Sequence, residues 1–318
     1  MPSTDPRPTK AQRQADARAR AAELRRKQEQ ASRRSRVLAI GGAVLAVLVV
    51  VFAVGFVLIQ NRQNATAYST VAYGASDADS KSLVAPQLSA VANPSTANDT
   101  AGIPISAAGV GKAASGGTVL QIFFDLQCPY CAQFDKANSA DLDALAKEPG
   151  VTVVYQPLSF LDASSQGTRY SNRAANALMT VADKDPSHFT AFLTALYADQ
   201  PAENTKGLTD AKIATIATGV GVPQAVISTF TATVTGTYQL KDANGTATDH
   251  TGTWRTYAPF LAAATDHAGT LPVFSKGLGT PTIVLDGTQI GTQTDGINIY
   301  QQGQVRAAVE AAAAKKKG

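Results

Sequence analysis

The sequence predicts an α/β domain that carries a helical insertion and follows a single transmembrane helix. Three observations lead there. Val37 to Ile59 is a run of 23 residues without a charge. Thr118 to Asp125 is rich in β-branched and aromatic residues, reads as a buried strand, and runs at once into Cys128-Pro129-Tyr130-Cys131 at the head of a helical pattern. Thr282 to Asp286 and Thr288 to Ile290 read as two strands around Asp286-Gly287, a strong hairpin signal, and a last helix follows.

The N-terminal part is basic. Residues 1–36 hold 11 Lys or Arg against 4 acids, a net charge of +7, whereas the remainder holds 17 against 20. A nucleic-acid binder would carry its positive charge on the fold itself, so this balance argues against that class. The leader reads as a polar helix or a disordered segment. As a helix, Val37 to Ile59 would span about 34 Å, enough for a hydrocarbon core of about 30 Å. No small-x-small cleavage site follows it, since Gln60-Asn61-Arg62-Gln63 comes next, so the span reads as a retained anchor. The basic flank keeps the N-terminus cytoplasmic and places the rest outside the cytoplasm. Residues 60–100, rich in Ala, Ser, Thr and Asn, read as a flexible linker.

The folded domain is expected over residues 101–318, with Ile103-Pro104-Ile105 as a short ordered piece. The helix after the cysteines runs to Lys147, with Cys131, Phe134, Leu142 and Leu145 on its apolar face and Asn138 interrupting the stripe. Pro149-Gly150 ends it, and Val151 to Tyr155 forms a second strand. An insertion over about 164–268 is read as helical, with segments at 165–183, 186–198, 209–219, 223–234 and 254–268. The Thr-, Asp- and Gly-rich stretch Gly236 to Gly252 reads as a loop. Arg169 and Arg173, one turn apart, read as solvated charges or as aids in placing a partner, and Trp254 as core. The closing helix is expected over about Ile297 to Ala314, with Lys315 to Lys317 at the negative end of its dipole.

Cys128 and Cys131 are the only cysteines. A disulfide scaffold uses more and wider pairs, and a closed zinc site needs four ligands. His188, His250 and His267 show no ligand spacing. A c-type haem site would need His directly after the second Cys, where Ala132 stands. A redox-active pair remains, with no metal and no cofactor beyond a Cys128–Cys131 disulfide. Cys128 falls at the exposed start of a helix, where unpaired N–H groups and the dipole favour a thiolate. Cys131, one turn on, is placed to resolve a mixed disulfide. Pro129 suits the first turn, because its missing N–H has no helical partner there. Asp125 reads either as a carboxyl that relays a proton to a thiol or as an ordinary strand-end acid.

Phe124 to Cys131, together with Gly279-Thr280-Pro281-Thr282 opening a later strand, resembles the thioredoxin-like superfamily and, within it, the DsbA-like family. The likeness covers roughly residues 101–315. It implies that Pro281 is cis and lies against the cysteines, that Thr280 touches both Cys128 and the substrate chain, and that Tyr130 is partly exposed and tunes the pair. Together with the anchor and the exported location read above, which lie outside the likeness, it implies a membrane-anchored, extracytoplasmic dithiol oxidase acting on exported proteins, and because the sequence has no second Cys pair a membrane redox partner is expected to reset it. The alternatives are a reductase or isomerase fed by a membrane electron donor and, in a different class, a tethered binding or chaperone module with a structural cysteine pair.

Overall fold

A computed structural model describes residues 9–74 and 82–317. The first eight residues of the basic leader, residues 75–81 of the expected linker and Gly318 lie outside the described residues, as do the side chains of Ser35 and Arg36 at the border of the apolar run. The chain divides into two compact units, residues 1–59 and 60–318. The described leader is helical: α1 covers Lys10–Ala67, so its last residues, from Gln60 on, count with the second unit. Its apolar stretch is long and apolar enough to cross a membrane by length and composition. Leu45 and Phe52 stand exposed on it.

The second unit begins earlier than expected. Residues 60–74 and 82–100 are not a free tether, because they carry anchors that composition hides. Val71 and Tyr73 are buried. Asn64 Nδ2 donates to the Gln166 carbonyl at 2.7 Å, Ser95 N–H to Asp183 Oδ1 at 2.8 Å, and Thr96 Oγ1 to the Ala182 carbonyl at 2.8 Å. Within this stretch lie β1 (Leu83–Val84) and a 3-10 turn, Leu88–Ala90.

The expected piece at 103–105 is β2 (Ile103–Ser106), which turns into β3 (Gly109–Val110). Next come β4 (Thr118–Phe124), α2 (Pro129–Leu145) and β5 (Val151–Pro157). β4 and β5 pair in parallel, as a strand–helix–strand crossover requires. β5 is buried throughout, so it reads as a continuous apolar run rather than an alternation. Along β4 the alternation is used: Leu120, Ile122 and Phe124 enter the main core with Phe134 and Leu142 of α2. Phe123 points the other way and meets Phe274 edge-on, with ring centroids 4.9 Å apart.

The insertion holds α3 (Tyr170–Lys184), α4 (Phe189–Ala198), α5 (Asp210–Gly219) and the single turn α6 (Gln224–Ile227). It is not wholly helical. The helix expected to run to residue 234 stops at Ile227, and the expected loop Gly236 to Gly252 is a hairpin of β6 (Thr233–Lys241) and β7 (Ala247–Arg255). The glycines that suggested a loop are partners across the hairpin, and the Trp254 ring lies over both of them. α7 (Ala258–Thr270) then returns the chain to the main sheet. Arg173 is not solvated: it is 1% exposed on α3, a helix buried almost all round.

β8 (Thr282–Leu285) and β9 (Thr288–Ile290) form the expected hairpin, with Asp286 and Gly287 both at positive φ (49° and 83°), as a type I′ turn demands. β8 lies antiparallel to β4, and the main sheet runs β3-β2-β5-β4-β8-β9. The closing helix α8 (Gln304–Lys317) starts later than expected. Asp295 Oδ1 accepts from Ile297 N–H, and Asn298 Oδ1 from Tyr300 N–H. Such side-chain turns compete with helix and hold residues 295–300 as a loop.

Candidate active site

Two chain segments meet at the cysteines. Past the end of β4, Asp125, Leu126 and Gln127 lead to Cys128, whose backbone is still extended (φ −77°, ψ 117°) and caps α2, with Pro129 in the first turn. Cys128 N–H donates to the Asp125 carbonyl at 3.0 Å, and the Cys128 carbonyl accepts from Cys131 N–H at 3.1 Å. From the start of β8 comes Thr280-Pro281, joined by a cis peptide bond. Cys128 Sγ lies 3.2 Å from the Thr280 carbonyl, to which the thiol donates. Pro281 and Cys131 line one small void with Phe134 and Tyr197. The structure therefore joins Cys128, Cys131, Pro129, Thr280 and Pro281 in one place.

Both cysteines are free thiols, and both are buried. Cys128 was expected at an exposed helix start, yet it is 4% exposed, because the Thr280 segment lies over it. Tyr130, 56% exposed, is what stands out from the turn.

The two thiols titrate in opposite directions. Cys128 is lowered to about 6. The hydrogen bond from the Cys131 side chain does most of this against the cost of burial, helped by the N–H groups of Cys131 and Tyr130. Cys131 is pushed well above the ordinary thiol value by burial, and further by the neighbouring Cys128. One sulfur is thus prepared to be an anion, and the other to keep its proton and donate it. The rate of alkylation of the reduced protein should then rise with pH about a midpoint near 6, the value set for Cys128. An unperturbed cysteine would give a midpoint near ~8.5. A midpoint at the ordinary value would show that the Cys131 side chain and the N–H groups of the turn do not stabilise the anion.

Asp125 is placed differently from the relay expectation. Its Oδ1 accepts from Ser171 Oγ at 2.6 Å and Gln127 N–H at 2.8 Å, and its Oδ2 from Leu161 N–H at 3.0 Å. None of these donors is a cysteine. The carboxyl ties the cysteine loop to the 3-10 helix Phe160–Ser165 and to α3. Burial pushes it up to about 7 from 3.8, against those three hydrogen bonds. A raised carboxyl means that the folded chain holds a proton that the unfolded chain has lost. Asp125 therefore makes stability fall as pH rises from about 4 to about 7. Asp125→Asn should flatten the melting temperature over that window and leave a smaller slope from Asp135, itself raised to about 6. An unchanged slope would show that Asp125 stays ionised in the fold.

Three side chains that the sequence reading passed over belong to the site. Gln200 Nε2 donates to the carbonyls of Leu126 and Cys128, each at 2.9 Å, and so holds the loop from the α4 side. Asn138, the residue that broke the apolar stripe of α2, donates to the Ile299 carbonyl at 2.8 Å. That bond fixes the loop before α8, which carries Tyr300 to Tyr130, with ring centroids 6.3 Å apart. Tyr300 is 40% exposed, and burial together with the nearby cysteines raises its hydroxyl above the ordinary value. A polar residue on the buried face of α2 was the one available sign of this loop. Gln200 and Tyr300 carried none.

Comparison with known proteins bears on the family and the fold. The family profile described as thioredoxin matches residues 109–298. Serine/threonine-protein kinase PknE of Mycobacterium tuberculosis is 35% identical over 136 residues, 41% of this chain, and the match spans about a quarter (24%) of the kinase. Among solved structures, the MdbA protein of Actinomyces oris, a thiol-disulfide oxidoreductase, superposes with a TM-score of 0.51 at 19% identity, covering 71% of this chain and 99% of that one. DsbA from Mycobacterium tuberculosis in its reduced form gives 0.44 at 21% identity, covering 68% and 98%.

Proposed function

Because the chain belongs to the thioredoxin family, we propose that its Cys128–Cys131 pair is the centre of a membrane-anchored, extracytoplasmic thiol–disulfide oxidoreductase, acting as a dithiol oxidase on exported polypeptides. The observation that carries this reading is the placement of the two free thiols at the head of α2, with Cys128 Sγ 3.2 Å from the Thr280 carbonyl, and the opposed titration of the thiols supports it.

In the oxidised protein the pair is a disulfide. A substrate thiolate attacks the Cys128 sulfur, the Cys128–Cys131 bond breaks, and Cys131 leaves with the bond's electron pair and takes a proton. A second substrate thiol, as its thiolate, attacks the substrate sulfur of the mixed disulfide and expels Cys128. Two substrate thiols thereby lose two electrons and two protons, and the substrate disulfide forms. A thiolate of low pKa is the better leaving group, which favours Cys128 in the second step. Stabilising that thiolate also stabilises the reduced protein, which makes its disulfide the stronger oxidant. The Thr280 carbonyl borders the sulfur that reacts, with Pro281 next to it in the chain, and on this reading a substrate chain would pair beside that carbonyl. The exposed Tyr130–Tyr300 pair flanks the opening. A redox partner in the membrane would accept the two electrons and restore the disulfide. The helix Lys10–Ala67 would hold the protein in the bilayer, with its +7 leader in the cytoplasm.

Equilibration against glutathione tests the direction of electron flow. A reduction potential well above thioredoxin's, toward about −120 mV, is expected of the oxidase, and a value near about −270 mV would replace it with the reductase reading. Tyr300→Ala should slow oxidation of a reduced, unfolded polypeptide several-fold while leaving oxidation of a small dithiol unchanged. Equal slowing of both substrates would assign Tyr300 to the structure of the pair instead.

A further inference from the structure

Strand β1 ends for a chemical reason. Lys241 N–H donates to the Ser82 carbonyl at 2.7 Å, and Val84 pairs with Gln239. In that antiparallel register the next hydrogen-bonding position on β6 is Thr237, and the residue due opposite it is Pro86. Proline has no N–H to give, and the chain turns away into the 3-10 turn. β6 continues to Thr233 without a strand on that side among the described residues.

The even-numbered residues of β6 direct their backbone groups to β7. The ends of the hairpin set this phase: Thr256 N–H donates to the Ala232 carbonyl at 3.2 Å and Asp242 N–H to the Thr246 carbonyl at 2.9 Å. Alternation turns the N–H and carbonyl groups of Thr235 and Thr237 outward. The Thr237 carbonyl has the Tyr73 hydroxyl at 3.4 Å. The two N–H groups and the Thr235 carbonyl have no partner among the described residues.

Beside this open edge is a cavity of about 630 Å³, bounded across from β6 by Val84, Ala90 and Val91. That size lies within the range of ligand sites, about 300–1,000 Å³. Its two walls differ. Val234, Tyr238 and Trp254 line one, and the indole lies close over Gly236, where an added Cβ would come within 3.1 Å of the ring. The Trp254 N–H is buried without a hydrogen-bond partner. The other wall is polar and holds the charged residue of the lining, Asp249, with Gln239 beside it.

The geometry points to an extended polypeptide segment as the occupant, added as a strand against Thr235 and Thr237 in line with β1. Alternate side chains of such a segment fall on the aromatic wall and on the Asp249 wall. The segment that fits alternates apolar with polar residues and carries a basic one toward Asp249. Strand addition of this kind takes its affinity from main-chain hydrogen bonds and its selectivity from alternate side-chain sites. The inference rests on the polypeptide-substrate reading above only for the source of the segment, an unfolded exported chain.

Trp254 is the only tryptophan, so its emission reports occupancy directly. The full chain in detergent micelles is titrated with a cysteine-free peptide of alternating valine and lysine or threonine, lacking aromatic residues. A saturable change in Trp254 emission is expected. Methylating the peptide nitrogen that would face the Thr235 carbonyl should weaken binding by about fivefold, as loss of one main-chain hydrogen bond implies. Glutamate in place of lysine should weaken it as well. Equal binding of the methylated peptide, or an emission that never responds, overturns the strand site. Failure of binding in a protein that still exchanges disulfides with reduced polypeptides removes this site alone. Binding in a protein inert in exchange removes the redox reading and keeps the site.

Discussion

Cys131→Ser should convert the protein into a trap that accumulates mixed disulfides through Cys128, while Cys128→Ser should accumulate none and lose exchange to background. The asymmetry follows from the titration of the pair. At pH 7 a thiol with a pKa of about 6 is roughly nine-tenths ionised, whereas an ordinary one near ~8.5 is ionised to about 3%. That is about a thirtyfold gain in thiolate. Nucleophilicity falls as pKa falls, with a Brønsted coefficient of about 0.4–0.5, so roughly tenfold of the gain is lost again in attack. The advantage of Cys128 over an ordinary thiol is therefore modest in absolute rate and large in pH profile. Its advantage over Cys131 is large in both, since Cys131 keeps its proton. Trapped adducts are read by mass spectrometry after acid quenching. Adducts on Cys131 in the Cys128→Ser protein, at a yield matching the reverse variant, would overturn the assignment.

Asp210→Asn should destabilise the domain by about 3 kcal/mol, the scale for removing one partner from buried charges. Asp210 Oδ1 lies 3.1 Å from Arg173 Nη1, and its Oδ2 lies 2.7 Å from Arg255 Nη2. Arg173 also donates to the Thr168 carbonyl at 2.8 Å and sits under the Tyr68 ring, 4.9 Å from its centre. Without the carboxylate, two guanidiniums stay in the interior with carbonyl partners alone. For a domain of this size the melting temperature should fall by about 6–12 °C. The Arg255 and Arg173 charges hold the Asp210 carboxyl below its ordinary range. A depressed carboxyl contributes stability that is present above its unfolded value, near ~4, and lost as pH falls through the folded one. The two proteins should therefore converge in acid. The exposed pair Lys212–Asp199, 2.8 Å apart, is the control, and Asp199→Asn should cost under about 1 kcal/mol. Equal melting of the two variants would show that the Asp210 cluster is solvated.

What could be read from the sequence was what local chemistry fixes. The strand before Cys128, the helix after it, the Asp286-Gly287 turn and the apolar run near the N-terminus each follow from a handful of adjacent residues. What could not be read depends on partners distant in the chain. Arg173 looked like a surface charge because Asp210 lies beyond the next helix. Gly236 and Gly252 looked like loop residues because their role, making room for Trp254, exists only once β6 and β7 are paired. Residues 60–100 have the composition of a tether, and among the described ones the sparse anchors Asn64, Val71, Tyr73, Ser95 and Thr96 contradict it. At the site, the cysteines and Thr280-Pro281 were legible through motif. Asp125 was legible as a residue but not in its direction, since Ser171 and Leu161 approach it from the insertion.

The packing of residues 60–74 and 82–100 decides where this domain could be cut from the N-terminal helix and stay folded. A protease that cut after Thr100 would leave behind Tyr68, which covers Arg173, and Val71, whose carbonyl accepts from Arg255 N–H at 3.1 Å. Ser95 and Thr96, bound to the end of α3, would go with them. The shed product would keep both cysteines and Pro281 but expose the Arg173–Asp210 cluster and one side of the aromatic cluster around Trp254. Cutting near Gln60 spares all of these contacts. A form cut from the N-terminal helix that stays folded therefore has to carry Tyr68, Val71, Tyr73, Ser95 and Thr96 with it.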